Sequence, residues 1–149
     1  MDKLSAGLTG IAGEYFVAAE LSRRGWMASI TLRNNDSIDI HASSLVNERL
    51  LSIQVKTTQV KARRWPLNVK AEQRYSDNHF YVFVHLKELV QRPDYFIVPS
   101  EVVARTVRET HQLWLDTLGR KGQAHNDSAM RVFTDMDGIF LERWDLLDL

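Results

Sequence analysis

Residues 37–57 read SIDIHASSLVNERLLSIQVKT and contain two short runs in which apolar and polar side chains alternate. Alternation with a period of two is typical of a strand with one covered face, so we expect strands at 37–42 and 50–57. Asn47 and Glu48 lie between the two runs and favour a turn. The stretch therefore predicts a β-hairpin.

The polar residues of this hairpin are predicted to meet on one side. Asp39 lies between Ile38 and Ile40, so its side chain points away from theirs. Gln54 and Lys56 are two residues apart on the second strand and share one face. If the two strands pair, Asp39 lies beside Gln54 and Lys56.

A helix is predicted before the hairpin, from residue 8 to residue 24. Thr9 is the expected N-cap, and Gly25 is a natural stop. Glu14 belongs to a stripe with helical spacing that is otherwise apolar: Ile11, Glu14, Ala18 and Leu21. A carboxylate on such a stripe costs free energy unless it has a partner. We expect this helix to bring Glu14 over the edge of the hairpin.

The rest of the chain predicts alternating strands and helices. The expected elements are strands at 26–32, 80–86 and 95–98, a short helix at 68–75 after Pro66, and a long helix at 101–118. The expected inner face of the long helix consists of Val102, Val103, Thr106, Val107 and Leu113. Residues 119–128 read as a loop, and residues 140–149 read either as packed or as frayed. This order predicts a mixed α/β sandwich.

Composition excludes several classes of protein. The chain has 149 residues, and we expect one domain over residues 1–149. It has no cysteine, which excludes disulfides and thiolate metal sites and suits a reducing cytoplasm. We expect no signal peptide and no contact with a membrane. No glycine-rich phosphate loop, zinc-like histidine spacing or serine elbow is present.

Charge is distributed unevenly although the formal net charge is zero. Lys61, Arg63 and Arg64 follow the second hairpin strand and are joined by Trp65. One interpretation is a surface that binds nucleic acid, in which the cations hold phosphates and Trp65 stacks on a base or sugar. In the other, Trp65 covers the core and the arginines face water.

The oxygen atoms around the hairpin suit a hard divalent cation. Asp39 would anchor the ion, the Gln54 amide oxygen and the Val55 carbonyl would be further ligands, and Glu14 would bind directly or through water. Such an ion lowers the pKa of its bound water and stabilises charge in phosphodiester hydrolysis. Lys56 would orient or deprotonate the attacking water, or neutralise the phosphate.

Three segments together resemble the PD-(D/E)XK superfamily, which includes restriction endonucleases and archaeal Holliday-junction resolvases. They are Gly13-Glu14 on the helix, residues 37–40 (SIDI) and residues 53–57 (IQVKT). The resemblance covers residues 8 to 58 and implies an α/β fold with a restriction-endonuclease-like αβββαβ core, a mixed central sheet flanked by helices. It also implies an active site made of Glu14, Asp39, Gln54 and Lys56. Gln54 departs from the usual acidic residue, which removes one negative charge from the site.

The resemblance implies a metal-dependent nuclease, with DNA as the expected substrate. Mg²⁺ is the expected cofactor, and Mn²⁺ is expected to substitute. Asp36, close to Asp39, is an alternative ligand. By analogy with small nucleases that pair to cut two strands, a homodimer is the expected assembly. The alternative function is a catalytically inactive module of the same fold that binds nucleic acid or a protein partner.

Overall fold

The computed structural model describes residues 3–32 and 38–148. Two long helices and seven strands occur in the order α1 (Ala6–Arg23), β1 (Trp26–Ile30), β2 (Ile40–Ser44), β3 (Leu50–Thr58), β4 (Arg64–Asn68), β5 (His79–His85), β6 (Asp94–Pro99), α2 (Ser100–Asp116) and β7 (Met130–Thr134). Short 3-10 helices cover Val69–Glu72 and Trp144–Asp148. No helix in the described ranges combines the length and the apolar character needed to cross a membrane.

Five strands form a mixed central sheet in the order β1-β2-β3-β5-β6, and β4 pairs with β7 in a separate ribbon. β3 and β5 are parallel, whereas the other neighbours in the sheet are antiparallel. Val17 and Leu21 of α1 pack with Ile53 and Val55 on one face. The ribbon and α2 cover the other face. The predicted class, a mixed sheet flanked by helices, is confirmed.

The first helix begins earlier than the sequence predicted. Ser5 is the N-cap of α1, and its side-chain oxygen accepts from the Leu8 N–H at 3.2 Å. The prediction of Thr9 as N-cap is therefore wrong. Thr9 lies one turn inside the helix, where it is 8% exposed and its hydroxyl donates to the Ser5 carbonyl at 2.8 Å. The hydroxyl groups of Ser5 and Thr9 can both cap a helix. Thr9 is buried inside the helix, so Ser5 is the residue that caps it.

The hairpin is present, with β2 and β3 antiparallel and Ile40 opposite Ile53. Its turn contains Glu48 at φ 58°, a left-handed conformation that fits a tight reversal. The first strand had been expected to start at Ser37, a position outside the described residues. Asp36, the alternative ligand, also lies outside them.

The predicted short helix at 68–75 is present only as the 3-10 helix Val69–Glu72, and the expectation that Pro66 precedes it as a chain break is wrong. Pro66 lies inside β4, where Trp65 and Leu67 are buried and their neighbours are exposed. Such a period of two marks a strand, and Pro66 is tolerated because β4 belongs to a narrow two-stranded ribbon. Only the 3-10 helix Val69–Glu72 follows.

Two further differences concern the C-terminal third. Leu113 is 68% exposed, so its assignment to the inner face of α2 is wrong, whereas Val103 and Val107 are fully buried as predicted. β7 was not predicted at all.

The predicted loop at 119–128 contains neither helix nor strand. The chain end packs, because Trp144 and Leu147 join the core on the α1 side of the sheet.

Candidate active site

The second half of β3 has an open edge. β2 pairs with residues 50–53 of β3, and β5 pairs with residues 52–58 on the opposite side. Among the described residues, β3 therefore has no strand partner on the β2 side beyond Ile53. Alternate residues of a strand direct both backbone polar groups to one edge. The Ile53 carbonyl accepts from the Asp39 N–H on this edge at 2.9 Å, so the backbone groups of Val55 face it as well.

Asp39 occupies this open edge. Its carboxylate oxygen Oδ2 accepts from the Val55 N–H at 2.6 Å, the short distance typical of a bond to a charged acceptor. Ile40 lies opposite Ile53 in the hairpin. If this register continues by one residue, Asp39 lies across from Gln54. Because the two backbone groups of Val55 point the same way, its carbonyl lies on the edge that Asp39 occupies.

Gln54 and Lys56 line one cleft of about 220 Å³ beside this edge. Gln54 is 8% exposed, and Lys56 is half-buried. The opposite wall comes from β4 and the segment after it, which contribute Asn68, Lys70 and Arg74. Among the described residues no carboxylate lines this cleft, so Lys56, Lys70 and Arg74 face it without an anion. A site of this charge suits a phosphate group.

Glu14 approaches from the α1 side of the sheet. A Cβ atom placed on its neighbour Gly13 would fall on the hydroxyl of Thr57, so α1 lies against β3 at this point with no room for a side chain. Glu14 is half-buried. Glu14 therefore lies on the α1 side of β3, whereas Gln54 and Lys56 line the cleft on the opposite face of the sheet.

The oxygen atoms near the open edge of β3 are candidate ligands for a metal ion. In the described residues, no three His, Cys, Asp or Glu side chains converge as a metal-binding group. The oxygen donors near the open edge are of a different type, because the carboxylate of Asp39 contacts the backbone N–H of Val55 and the side chain of the neighbouring Gln54 lines the cleft. Hard cations such as Mg²⁺ bind mixed oxygen donors and keep several waters. These residues fit one such ion held by few anionic ligands.

Two aromatic groups near the cleft have shifted acidities. Burial raises the pKa of the Tyr81 hydroxyl, which lines the cleft. Burial also lowers the pKa of His79, and the positive charge of Arg74 adds to this, while a hydrogen bond with Ser52 opposes it. The His79 Nδ1 lies 2.9 Å from the Ser52 hydroxyl. A neutral imidazole therefore stands next to the cleft at neutral pH.

The basic run does not form one surface. Lys61 is exposed, and Arg63 and Lys61 line a wide groove at the end of β3, whereas Arg64 lines a different groove against α2. Trp65 is 1% exposed, and its Nε1 donates to the Val84 carbonyl at 3.0 Å. The expectation that Trp65 stacks on a base is therefore wrong, because its ring is part of the core.

Sequence reasoning missed three residues that shape this site. Lys70 and Arg74 were not assigned to the site, because their approach to Lys56 depends on the turn after β4. Gly13 was noted only as the neighbour of Glu14, and its contact with Thr57 depends on the packing of α1 on β3. A glycine within a helix costs stability, which is the signal that would have drawn attention to it.

Comparison with known proteins shows similarity only at the level of structure. No protein-family model matches the sequence, and no curated protein matches it. A bacterial homing endonuclease, I-Ssp6803I, aligns over 98% of this chain and 94% of its own, at 16% identity and a TM-score of 0.57. The Holliday junction resolvase Hjc of Archaeoglobus fulgidus aligns over 85% of this chain and 84% of its own, at 12% identity and a TM-score of 0.47.

The alignment with the homing endonuclease extends over nearly the whole of both chains, and it shows a shared fold. The chain therefore shares the fold of this endonuclease, and the predicted α/β architecture with a mixed central sheet is confirmed. At this level of identity the likeness is one of fold, and the roles of individual residues require their own evidence.

Proposed function

We propose that this protein is a divalent-metal-dependent nuclease that hydrolyses phosphodiester bonds in DNA, with Mg²⁺ as its ion and Mn²⁺ able to replace it. The observation that carries the proposal is the contact of the Asp39 carboxylate with the Val55 N–H at the open edge of β3. It supports the proposal because an anionic oxygen, a backbone carbonyl and the cleft of Gln54 and Lys56 then adjoin one another. Similarity to the fold of a homing endonuclease adds support.

Each residue has a role in this proposal. Asp39, the Val55 carbonyl and the Gln54 amide oxygen hold the ion, and Glu14 contributes directly or through water. When bound, the ion acidifies its water and offsets charge on the phosphate. Lys56 orients the attacking water and neutralises the phosphate. The attacking water would give up a proton to solvent as its oxygen bonds to phosphorus, the bond to the leaving sugar oxygen would break, and that oxygen would take up a proton from solvent.

The cleft also supplies the contacts that hold the substrate. Lys70 and Arg74 line it together with Lys56, and in this proposal they bind phosphates next to the one that reacts. Glu72, the acidic residue between them, is engaged elsewhere, because Arg131 donates to its carboxylate at 2.7 Å. The positive charge of this segment therefore stays on the side of the cleft.

A second candidate is a nuclease-fold module that binds nucleic acid or a protein partner without cutting it. Gln54 favours it, because an amide in place of a carboxylate leaves fewer charges to hold the ion. The two candidates differ in one respect that can be measured, since both bind but only the first hydrolyses.

The experiment that separates them is incubation of the purified chain with duplex, single-stranded, flap and junction DNA in Mg²⁺, in Mn²⁺ and in a chelator. The nuclease proposal predicts cleavage of at least one form with either ion and none in the chelator. Binding without cleavage in all conditions would establish the second candidate. Sedimentation of the same sample tests whether the active species is a homodimer.

A further inference from the structure

A groove of about 330 Å³ lies between the outer face of the β4–β7 ribbon and the C-terminal half of α2. One wall consists of Arg64 on β4 with Val132 and Thr134 on β7, and the other contains His111 and Trp114 of α2. Its volume falls in the range of sites for small planar ligands. The roles described for Lys56 and its neighbours do not use this groove.

Trp114 differs from the other tryptophans of the chain. It is 44% exposed, whereas Trp26, Trp65 and Trp144 are between 1% and 7% exposed. A large rigid ring exposed in the wall of a groove offers contact area to a planar ligand, so Trp114 is a candidate contact residue.

The indole of Trp114 is held in place by its surroundings. The ring of His125 stacks on it with 4.0 Å between centroids and 13° between planes, and the His125 Nδ1 lies 2.7 Å from the Trp114 carbonyl. His125 does not line the groove, so it supports the indole from the other side. The ring of His111 lies against the indole as well, with 5.6 Å between centroids and 28° between planes, and it is fixed in turn by Asp127 at 2.8 Å. The part of the indole that the two imidazoles leave exposed is held in place before binding, so it loses little entropy when a planar group stacks on it.

The same face of β4 leads from this groove to the candidate active site. Arg64, Pro66 and Asn68 alternate with buried residues and share the exposed face, and Asn68 lines the cleft of Lys56. Four residues of strand span about 13 Å, which is roughly the rise of four stacked nucleotides. Arg64 at the groove is exposed, whereas the guanidinium of Arg131 is already bound to Glu72.

We infer that the groove binds an unpaired base of the nucleic-acid substrate, which stacks on Trp114 while Arg64 holds an adjacent phosphate. This inference rests on the proposed function and adds to it a preference for DNA with a single-stranded segment a few nucleotides from the cleavage point. A stacking contact of this kind is insensitive to base identity, so it selects for strandedness and not for sequence.

The test is the fluorescence of Trp114 during titration with a short oligothymidylate in chelator, where no cleavage occurs. The inference predicts quenching in the wild-type chain. Trp114→Leu should lose the quenching and bind roughly tenfold more weakly. Trp114→Phe keeps a stacking ring and should bind more tightly than Trp114→Leu. A second comparison changes the ligand and leaves the protein unaltered. The wild-type chain should bind an oligomer of the same length without bases as weakly as Trp114→Leu binds the oligothymidylate.

Leu118→Ala is the matched control, because Leu118 is 63% exposed nearby and does not line the groove. It should bind the oligomer as the wild type does. Equal binding of the oligomers with and without bases would overturn the inference, as would an unquenched wild type. Dissociation of a homodimer by both Trp114→Leu and Leu118→Ala, with oligomer binding unchanged, would assign this surface to contact between copies. Cleavage without quenching would refute base binding in the groove and leave the nuclease proposal standing. Quenching without cleavage would refute the nuclease proposal and leave base binding standing.

Discussion

The Asp39 carboxylate accepts a hydrogen bond of 2.6 Å from the backbone N–H of Val55. This side chain takes the place that a paired strand would fill beyond Ile53, so it completes the sheet as well as offering an anionic ligand. A substitution at this position therefore changes two properties, the stability of the sheet edge and the affinity for metal.

The two properties separate in a pair of variants. Asp39→Asn keeps an oxygen acceptor for the Val55 N–H but removes the charge, so it should unfold within about 1 kcal/mol of the wild type and lose most of its Mn²⁺ affinity. Asp39→Ala leaves that N–H without its acceptor and should cost about 1–3 kcal/mol in addition to the metal affinity. Urea unfolding and calorimetric titration with Mn²⁺ measure the two quantities. Wild-type metal affinity in Asp39→Asn would remove Asp39 from the ligand set.

Gln54→Glu should tighten metal binding, because it adds a charged ligand to a set with few anions. Calorimetric titration with Mn²⁺ measures the change, and Gln73→Glu is the matched control, since Gln73 is exposed and does not line the cleft. The control should leave the affinity unchanged. If the two variants bind the ion equally, the added charge acts at a distance, and Gln54 is not a ligand.

The contact of α1 with β3 predicts a contrast between two glycines of one helix. Gly13→Ala places a methyl group on the Thr57 hydroxyl and should destabilise the fold by about 1–3 kcal/mol. Gly10→Ala meets nothing within 4 Å and should stabilise it by about 0.5–1 kcal/mol through helix propensity. Thermal and urea unfolding give both values. Equal stability of the two variants would show that α1 does not lie this close to β3.

These contacts show what the sequence could and could not predict. The alternation around Asp39, Gln54 and Lys56 is local, and a period of two within a few residues is enough to predict both the strands and the shared face. The choice of Ser5 over Thr9 as N-cap was not local. It depends on the burial of Thr9, which is set by the packing of the helix.

The larger errors have the same origin. Pro66 was read as a helix-breaking residue, and Trp65 was left open between a base contact and the core. Both depend on the pairing of β4 with β7, almost 70 positions further along the chain, where Trp65 is opposite Phe133. Trp65 then lies 5.2 Å from the ring of Phe83 and 5.1 Å from that of Phe96. No pattern within residues 61–75 contains that pairing.

Stability should fall as the pH is lowered from about 7 to about 5. Burial lowers the folded-state pKa of His79 and that of His85 below the unfolded value of about 6.5. The unfolded chain therefore binds protons first, and the stability present above pH 6.5 is lost until the pH reaches the lower, folded-state pKa values. His79→Gln should flatten this dependence in part, as measured by urea midpoints across the range. An identical slope in wild type and variant would show that His79 does not titrate in this way.

Single-turnover cleavage by Lys56→Ala, measured beside equilibrium DNA binding, tests the central claim most directly. Lys56 shares the cleft with Gln54, so its loss should slow cleavage on the order of a hundredfold or more. Binding should fall far less, because Lys70 and Arg74 remain. Lys121→Ala, an exposed lysine in the loop after α2, should match the wild type in both assays. Cleavage by Lys56→Ala at the wild-type rate would contradict the proposed active site.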